Sequence, residues 1–249
     1  MSSDSPGAIY TIPLFPLHFV LFPQFPLQLH VFEERYRVMI GECIERQQPF
    51  GVILIAEGEE AGAPAVPRNV GCVARILAVT KLDDGRMNLL AVGQKRFRLL
   101  EYAEGELPYL IGRAETLTDS DNTDEDPDRL LRDLSRLFRK YLRLLALCSG
   151  KELPSVALPD DPTILGFCIA AVTQMDVDDK QSLLEMTDPV SRLKFERRVL
   201  RRQIRELEAL KPADDAAPEP HQPELQLLIA ERLDTSRDFW RDYLSSSRN

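Results

Sequence analysis

The sequence has few of the residues on which enzymes commonly build their chemistry. Its three histidines, His18, His30 and His221, are scattered, and none of its four cysteines forms a C-x-x-C pair. It lacks the glycine-rich phosphate loop G-x-x-x-x-G-K-[ST], and it lacks G-x-S-x-G and H-E-x-x-H. The sequence therefore predicts no catalytic residue, no metal site and no cofactor.

Long apolar runs and an excess of positive charge are also missing. No run approaches the roughly 18 apolar residues that a membrane span needs, and the N-terminus, MSSDSPGAIY, does not resemble a signal peptide. The 31 Lys and Arg stand against 40 Asp and Glu, a net charge of −9. That balance argues against a general nucleic-acid or anionic-membrane surface. We expect a cytoplasmic protein with reduced thiols.

Residues 9–118 are predicted to be mostly strand. Prolines punctuate the first 26 residues and forbid a continuous helix there. The dipeptide Asp84-Gly85 separates two β-rich runs, which is a strong hairpin signal because glycine adopts positive φ without steric cost. So many strands with one helix among them predict a small closed or half-closed barrel.

The helix within this region is predicted in FPLQLHVFEERYRVMI, residues 25–40. An apolar set recurs at helical spacing and is predicted to form the core face that closes the barrel: Phe32, Tyr36, Met39 and Ile40. The neighbouring glutamates Glu33 and Glu34 suit the first turn of a helix. They point about 100° apart, so they do not form an acid–base pair across a substrate.

An acidic, polar stretch, TDSDNTDEDPD at 118–128, predicts a domain boundary. We expect a β domain over 1–118 and a helical domain over 119–249. The helical domain is predicted to contain a long helix at about 189–211, a linker rich in Pro and Asp at 212–223, and a C-terminal helical tail. The predicted fold class is therefore α+β, with a β barrel followed by an all-α bundle.

The loop LHFVLFPQF carries more apolar side chains than a solvent-exposed connecting loop usually has. They are Phe19, Val20, Leu21, Phe22 and Phe25. Two interpretations stand: these side chains plug the barrel, or they line a groove for an apolar peptide. The second makes them candidate peptide-binding residues.

Two further hypotheses come from other residues. The long helix is basic from Arg197 to Arg205, which is typical either of a nucleic-acid stripe or of a solvated helix face. The solvated face is the better interpretation, because no aromatic platform is interleaved and acidic segments lie nearby in the chain. Cys43 could act as the nucleophile of a hydrolase if a histidine approached it in space, which the spacing does not show.

The order of several motifs resembles a known family. IPLFPLHFVLFPQFPLQLHVFEERYRVMI, FGVILI, VGCVARI, DGRMNLLAVGQKRFRLLE and PYLIGRAE are similar to the N-terminal substrate-binding domain of Lon proteases. The resemblance is greatest to short bacterial proteins that carry this domain alone. It covers residues 9–118 and continues more weakly through DKQSLLEMTDPVSRLKFERRVL. It implies a PUA-like pseudo-barrel followed by a helical bundle.

The resemblance also implies a function. It favours a non-enzymatic module that binds unfolded or flexible polypeptide segments or partner proteins, with a separate protease or chaperone as a candidate partner. ATPase and peptidase activities are not carried over, since the chain has no Walker motif and no room for the peptidase. RNA binding, known among PUA-like barrels, and a Cys/His hydrolase remain the alternatives.

Overall fold

A computed structural model describes residues 7–60, 65–103, 107–120, 127–149 and 158–209. The chain divides into two compact units. The first comprises Met1–Asp121 together with Met175–Asp188, and the second comprises Asn122–Gln174 together with Pro189–Asn249. The predicted division between residues 118 and 119 stays a prediction, as does the C-terminal tail, which lies outside the described residues.

The first unit is a mixed sheet rolled into a pseudo-barrel. Its elements are β1 (Ile9–Leu17), β2 (Pro26–Val31), α1 (Glu34–Glu45), β3 (Phe50–Glu57), β4 (Val66–Lys81), β5 (Met87–Ala103), β6 (Ile111–Leu117) and α4 (Val177–Glu185). The strand order is β2-β5-β4-β3-β1-β6, and β6 also pairs with β5. That extra pairing closes a ring of five strands, to which β2 is attached on the outside. The α+β class and the pseudo-barrel are confirmed.

The ring can close because β5 is long enough to have two partners on one side. Its first part, residues 87–92, pairs with β2, and its last part, residues 96–103, pairs with β6. At Gly93, between them, the loop before β2 docks: the Gly93 N–H donates to the carbonyl of Phe25, and the Gly93 carbonyl accepts from the N–H of Gln24. A Cβ at Gly93 would lie 2.2 Å from the Phe22 carbonyl oxygen, so this position requires glycine.

The interior of the ring is filled around Phe97, which is fully buried. A Cβ at Gly71 would lie 2.6 Å from the Phe97 ring, and one at Gly51 would lie 3.0 Å from it. Glycines on β3 and β4, which have no side chain, thus make room for the Phe97 ring. Burial of such a ring contributes several kcal/mol at about 25 cal/mol per Å².

Helix α1 corrects one expectation from the sequence. Tyr36, Met39 and Ile40 are buried, and the Tyr36 ring stacks on Phe15 at 4.1 Å between centroids. Phe32, however, is 56 % exposed, so it does not belong to the core. The reason is local: the helix begins at Glu34, and Phe32 therefore precedes the helical turn that would have aligned it with Tyr36.

A buried arginine attaches α4 to the pseudo-barrel. The guanidinium of Arg96 on β5 donates to the carbonyl oxygens of Leu184 and Met186 at 2.7 and 2.6 Å, and it forms an ion pair with Asp119. The carbonyls belong to the C-terminal end of α4, where a cation also suits the helix dipole. Because all three partners are acceptors, they offset part of the desolvation cost of burying the Arg96 guanidinium.

The second unit is helical. It contains α2 (Pro127–Ser149), α3 (Pro162–Val172) and α5 (Pro189–Ala209). The Asp161 carboxylate accepts from the Ile164 N–H at 2.8 Å and caps α3, with Pro162 in its first turn. Buried leucines of α2 and α5, such as Leu134 and Leu200, are fully inside. Within the part of the chain that is described, no helix is long and apolar enough to cross a membrane.

Candidate functional site

Three strand segments extend the first unit beyond the closed ring. We call them the wing: Pro26–Val31 of β2, residues 76–81 of β4 and residues 87–92 of β5. The segments are antiparallel and in register, with Leu29 opposite Leu89 and Leu89 opposite Val79. The hairpin at Asp84-Gly85 joins β4 to β5 as predicted, and Gly85 has φ of 82°. One face of the wing is buried through Leu27, Val31, Met87, Leu89 and Ala91.

The outer edge of β4 in the wing is open. Strand β3 begins at Phe50, whose partner is Ala74, so β3 does not reach beyond that point of β4. Residues 75–81 pair with β5 on one side, and no described strand pairs with them on the other. We call these residues the β4 edge. Its backbone groups form a template for another extended chain.

The side chains of the β4 edge are apolar at its centre and basic at its ends. The register with β5 shifts between Ile76 and Ala78, which leaves Leu77 in a bulge and 47 % exposed. Ile76 and Val79 are half-buried, and Arg75 and Lys81 at the two ends are exposed. A neutral, apolar stretch in an exposed edge strand favours strand addition, whereas terminal Lys and Arg oppose uncontrolled aggregation.

The solvent-facing side of the wing carries His30. Its Nδ1 lies 2.8 Å from Asn88 Oδ1, its Nε2 lies 3.3 Å from the Arg86 guanidinium, and its ring stacks with Phe32 at 6.3 Å. Arginine only donates, so the hydrogen-bond pattern assigns the proton to Nδ1 and leaves Nε2 as an acceptor. Both ring nitrogens are thus engaged, and His30 links β2 to Asn88 of β5 and to Arg86 in the turn before it.

The predicted peptide-binding loop behaves differently from the wing. Val20, Leu21, Phe22 and Phe25 are buried, and Phe19 is 40 % exposed. The burial of these four supports the interpretation that the loop plugs the fold, and a triple Phe19, Phe22 and Phe25 substitution would remove core. The role of the loop in peptide binding stays a prediction, with Phe19 as the side chain available to a ligand.

The described structure does not assemble a cysteine nucleophile. Burial raises the pKa of the Cys43 thiol to about 11, so its thiolate is scarce at neutral pH. The groups that further shift this pKa are Gln48, Glu42 and Arg46, and a histidine is not among them. Among the described residues, no cluster of His, Cys, Asp and Glu could hold a metal ion.

The second unit buries a carboxylate that has no hydrogen-bond partner among the described residues. Glu196 of α5 is fully buried, and both its oxygens lack such a partner. The guanidinium of Arg192, one turn earlier, lies 4.3 Å from the centre of the Phe167 ring. Burial raises the pKa of Glu196 to about 8, although the Arg192 charge lowers it. The burial of Arg192 and Glu196 could not be predicted from the sequence, because helical periodicity alone assigns charged residues to the surface.

Comparison with known proteins identifies the family. The model of the ATP-dependent protease La (LON) substrate-binding domain matches residues 11–202. The chain belongs to this family, which confirms the resemblance found in the sequence. The match extends from β1 through the other strands to residue 202, which includes the first 14 of the 21 residues of α5, and so it covers elements of both units.

Curated proteins similar to this chain include Lon proteases. The chain is 27 % identical to Lon protease from Desulfosudis oleivorans over 208 residues and 30 % identical to that from Anaeromyxobacter dehalogenans over 210 residues. The matches cover 82 % and 83 % of this chain. The chain spans about a quarter of the length of these curated relatives, 25 % in each case.

Two solved structures share the fold. The Lon N-terminal domain protein from Xanthomonas campestris is 27 % identical, with a TM-score of 0.55, and the match covers 82 % of this chain and 99 % of that one. The N-terminal domain of the Mycobacterium avium complex Lon protease has a TM-score of 0.58 at 16 % identity and covers 77 % of this chain and 98 % of that one. The second likeness concerns the fold alone.

Proposed function

We propose that this protein is a non-enzymatic recognition module that binds extended polypeptide segments at the β4 edge. The observation that carries the proposal is an open strand edge of seven residues, 75–81, whose centre exposes apolar side chains. Membership of a family described by substrate binding supports polypeptides as the ligand. The relatives' other activities are not part of the proposal.

Strand addition suits a module that must accept many sequences. The edge supplies backbone N–H and C=O groups, so the hydrogen bonds do not depend on the ligand's side chains. Selectivity comes from the apolar bulge at Leu77 and from the half-buried Ile76 and Val79, which favour β-branched or aromatic side chains opposite them. An unfolded or flexible segment can adopt the required extended form, whereas a folded domain cannot.

A binding assay with a permanently unfolded polypeptide tests the proposal. The probe is lysozyme that has been reduced, blocked with iodoacetamide and labelled with fluorescein, and binding is followed by fluorescence anisotropy. We expect Leu77→Lys to weaken binding by about tenfold, because a charge at the centre of an edge strand opposes strand addition.

The chain offers a matched control for this variant. Leu100 is 43 % exposed, and it also lies at a register shift, on β5 where that strand pairs with β6. Leu100→Lys adds the same charge to the same unit, on a different strand and outside the β4 edge, and we expect it to change binding less than twofold. Equal losses in the two variants, or no loss in either, would show that the β4 edge is not the binding site.

A further inference from the structure

The two longest helices of the second unit concentrate positive charge on an otherwise acidic protein. Together α2 and α5 contain 13 Lys and Arg against five Asp and Glu, a net charge of +8. Because the whole chain carries −9, the remaining residues carry −17. Such a separation of charge within one chain creates a local field that the net charge conceals.

On α2 the positive residues form one stripe. At 100° per residue they fall within about 100° of arc, opposite the buried face that contains Leu134 and Phe138. The stripe consists of Arg129, Arg132, Arg136, Arg139, Lys140 and Arg143. Its length from the first to the last residue is about 21 Å at 1.5 Å per residue.

Ion pairs join this stripe to the basic side of α5. Asp133 of α2 accepts from Arg136 at 2.8 Å and from Arg201 of α5 at 3.4 Å. Seven residues further along both helices, Lys140 contacts Glu208 at 2.6 Å. The helices therefore lie side by side in the same direction, and their arginines form one continuous surface. We call it the basic face, and on α5 it comprises Arg198, Arg201, Arg202 and Arg205.

Much of the positive charge on the basic face is not paired with carboxylates of the described residues. Arg132, Arg139 and Arg143 on α2 and Arg205 on α5 are exposed. None of the four forms an ion pair with another described residue. Arg136 and Arg201 already show how the face takes a carboxylate, since guanidinium groups from two helices converge on Asp133.

We propose that the basic face is a second binding site, separate from the β4 edge, and that its ligand is a short acidic polypeptide segment. An extended segment of about six residues matches the 21 Å length of the stripe. A duplex nucleic acid also offers negative charge, but the net charge of −9 on the whole chain opposes its approach. The aromatic ring next to these arginines, Phe195, is half-buried, and its centre lies 5.4 Å from the guanidinium carbon of Arg198. A single ring of this kind is not the row of stacking platforms that single-stranded bases need.

The test uses the full chain and a fluorescein-labelled peptide of ten glutamates, with binding followed by anisotropy at 50 mM NaCl. We expect binding that Arg139→Glu with Arg143→Glu weakens at least tenfold, because the variant removes two pairing groups and adds repulsion. The milder pair Arg139→Gln with Arg143→Gln gives a smaller loss in the same direction. Both positions are exposed, and circular dichroism confirms that α2 remains folded.

The control removes the same charge elsewhere. Arg46 and Arg98 lie in the first unit and are largely exposed, with side chains 66 % and 49 % accessible. We expect Arg46→Glu with Arg98→Glu to change peptide binding less than twofold. Absence of binding by the wild-type chain, or equal losses in both double variants, would overturn the proposal. Tighter binding of a 20-base-pair DNA duplex than of the peptide, lost in the α2 variant, would assign the face to nucleic acid instead.

Discussion

The two units differ in the hydrogen bonding of their buried charges and in the character of their exposed surfaces. In the first unit the buried Arg96 has an acceptor for each of its contacts, and the open surface is an apolar strand edge. In the second unit the buried Glu196 lacks a hydrogen-bond partner, and the open surface is densely basic. This difference is the basis of our two proposals, in which the first unit recognises a ligand through backbone groups and the second through charge.

The largest expected effect concerns the satisfied arginine. Arg96→Met leaves Asp119 and two carbonyl groups of the α4 end without their donor, and it should lower the free energy of unfolding by about 3–5 kcal/mol. Denaturant unfolding measures this change. The matched control is Arg98→Met, two residues along the same strand, where an exposed pair with Glu115 at 3.7 Å predicts a loss below about 1 kcal/mol. Similar losses would remove the contrast between satisfied and exposed charge.

The unsatisfied carboxylate predicts a dependence on pH. Glu196 has a folded pKa of about 8 against an ordinary value of 4.5, so between these values the folded chain holds a proton that the unfolded chain releases. Stability from this group is therefore present below about pH 4.5 and is lost as the pH rises to about 8. Glu196→Gln should remove this loss of stability, which amounts to a few kcal/mol in the free energy of unfolding. The variant should therefore become increasingly more stable than the wild type as the pH rises from about 4.5 to about 8.

Thermal unfolding of both chains at pH 5, 6, 7, 8 and 9 provides the measurement. Glu206→Gln serves as the control, because this exposed residue of α5 forms a weak pair with Arg202 at 3.8 Å. Its difference from the wild type should not vary over the same range. A constant difference for Glu196→Gln would mean that Glu196 is ionised throughout. Both units would then hold a buried side chain in its charged form.

The smallest expected effect is in the response to salt. Binding at the β4 edge depends on backbone hydrogen bonds and apolar contact, so the affinity for unfolded lysozyme should change less than about threefold between 100 and 500 mM NaCl. The affinity of the basic face for the glutamate peptide should fall more than tenfold, since exposed charges are screened. Parallel titrations compare the two, and equal salt responses would argue against two modes of recognition.

Local patterns in the sequence predicted the elements well. The Asp84-Gly85 signal marks the β4–β5 hairpin, the 3.6-residue period marks α1, and Pro189–Ala209 forms the expected long helix. Phe32 shows the limit of periodicity, because a helix that begins two residues later turns a predicted core residue outwards. The start of this helix is poorly marked in the sequence, because residues 25–40 contain no Ser, Thr, Asp, Asn or Gly and the N-cap, Glu33, makes no side-chain hydrogen bond to the helix.

Features that depend on distant contacts could not be read from the sequence. The return of Met175–Asp188 to the first unit rests on Arg96, which lies 88 residues before Leu184 in the chain. The β4 edge exists because β3 begins at Phe50, which pairs with Ala74, so β4 has no β3 partner after Ala74. No local pattern in the sequence predicts where this pairing ends. The stripe on α2 could have been found by plotting its charges on a helical wheel, but its union with α5 required the structure.

Hydrogen–deuterium exchange gives the most direct test of polypeptide recognition by this protein. The measurement compares amide exchange in the chain alone and with saturating unfolded lysozyme. A peptide added as a strand hydrogen-bonds to outward amides of residues 75–81, so exchange there should slow by at least tenfold. Residues 96–98 already pair with β4 on one side and β6 on the other, and their exchange should not change. Unchanged exchange at residues 75–81 in the fully bound chain would contradict recognition at the β4 edge.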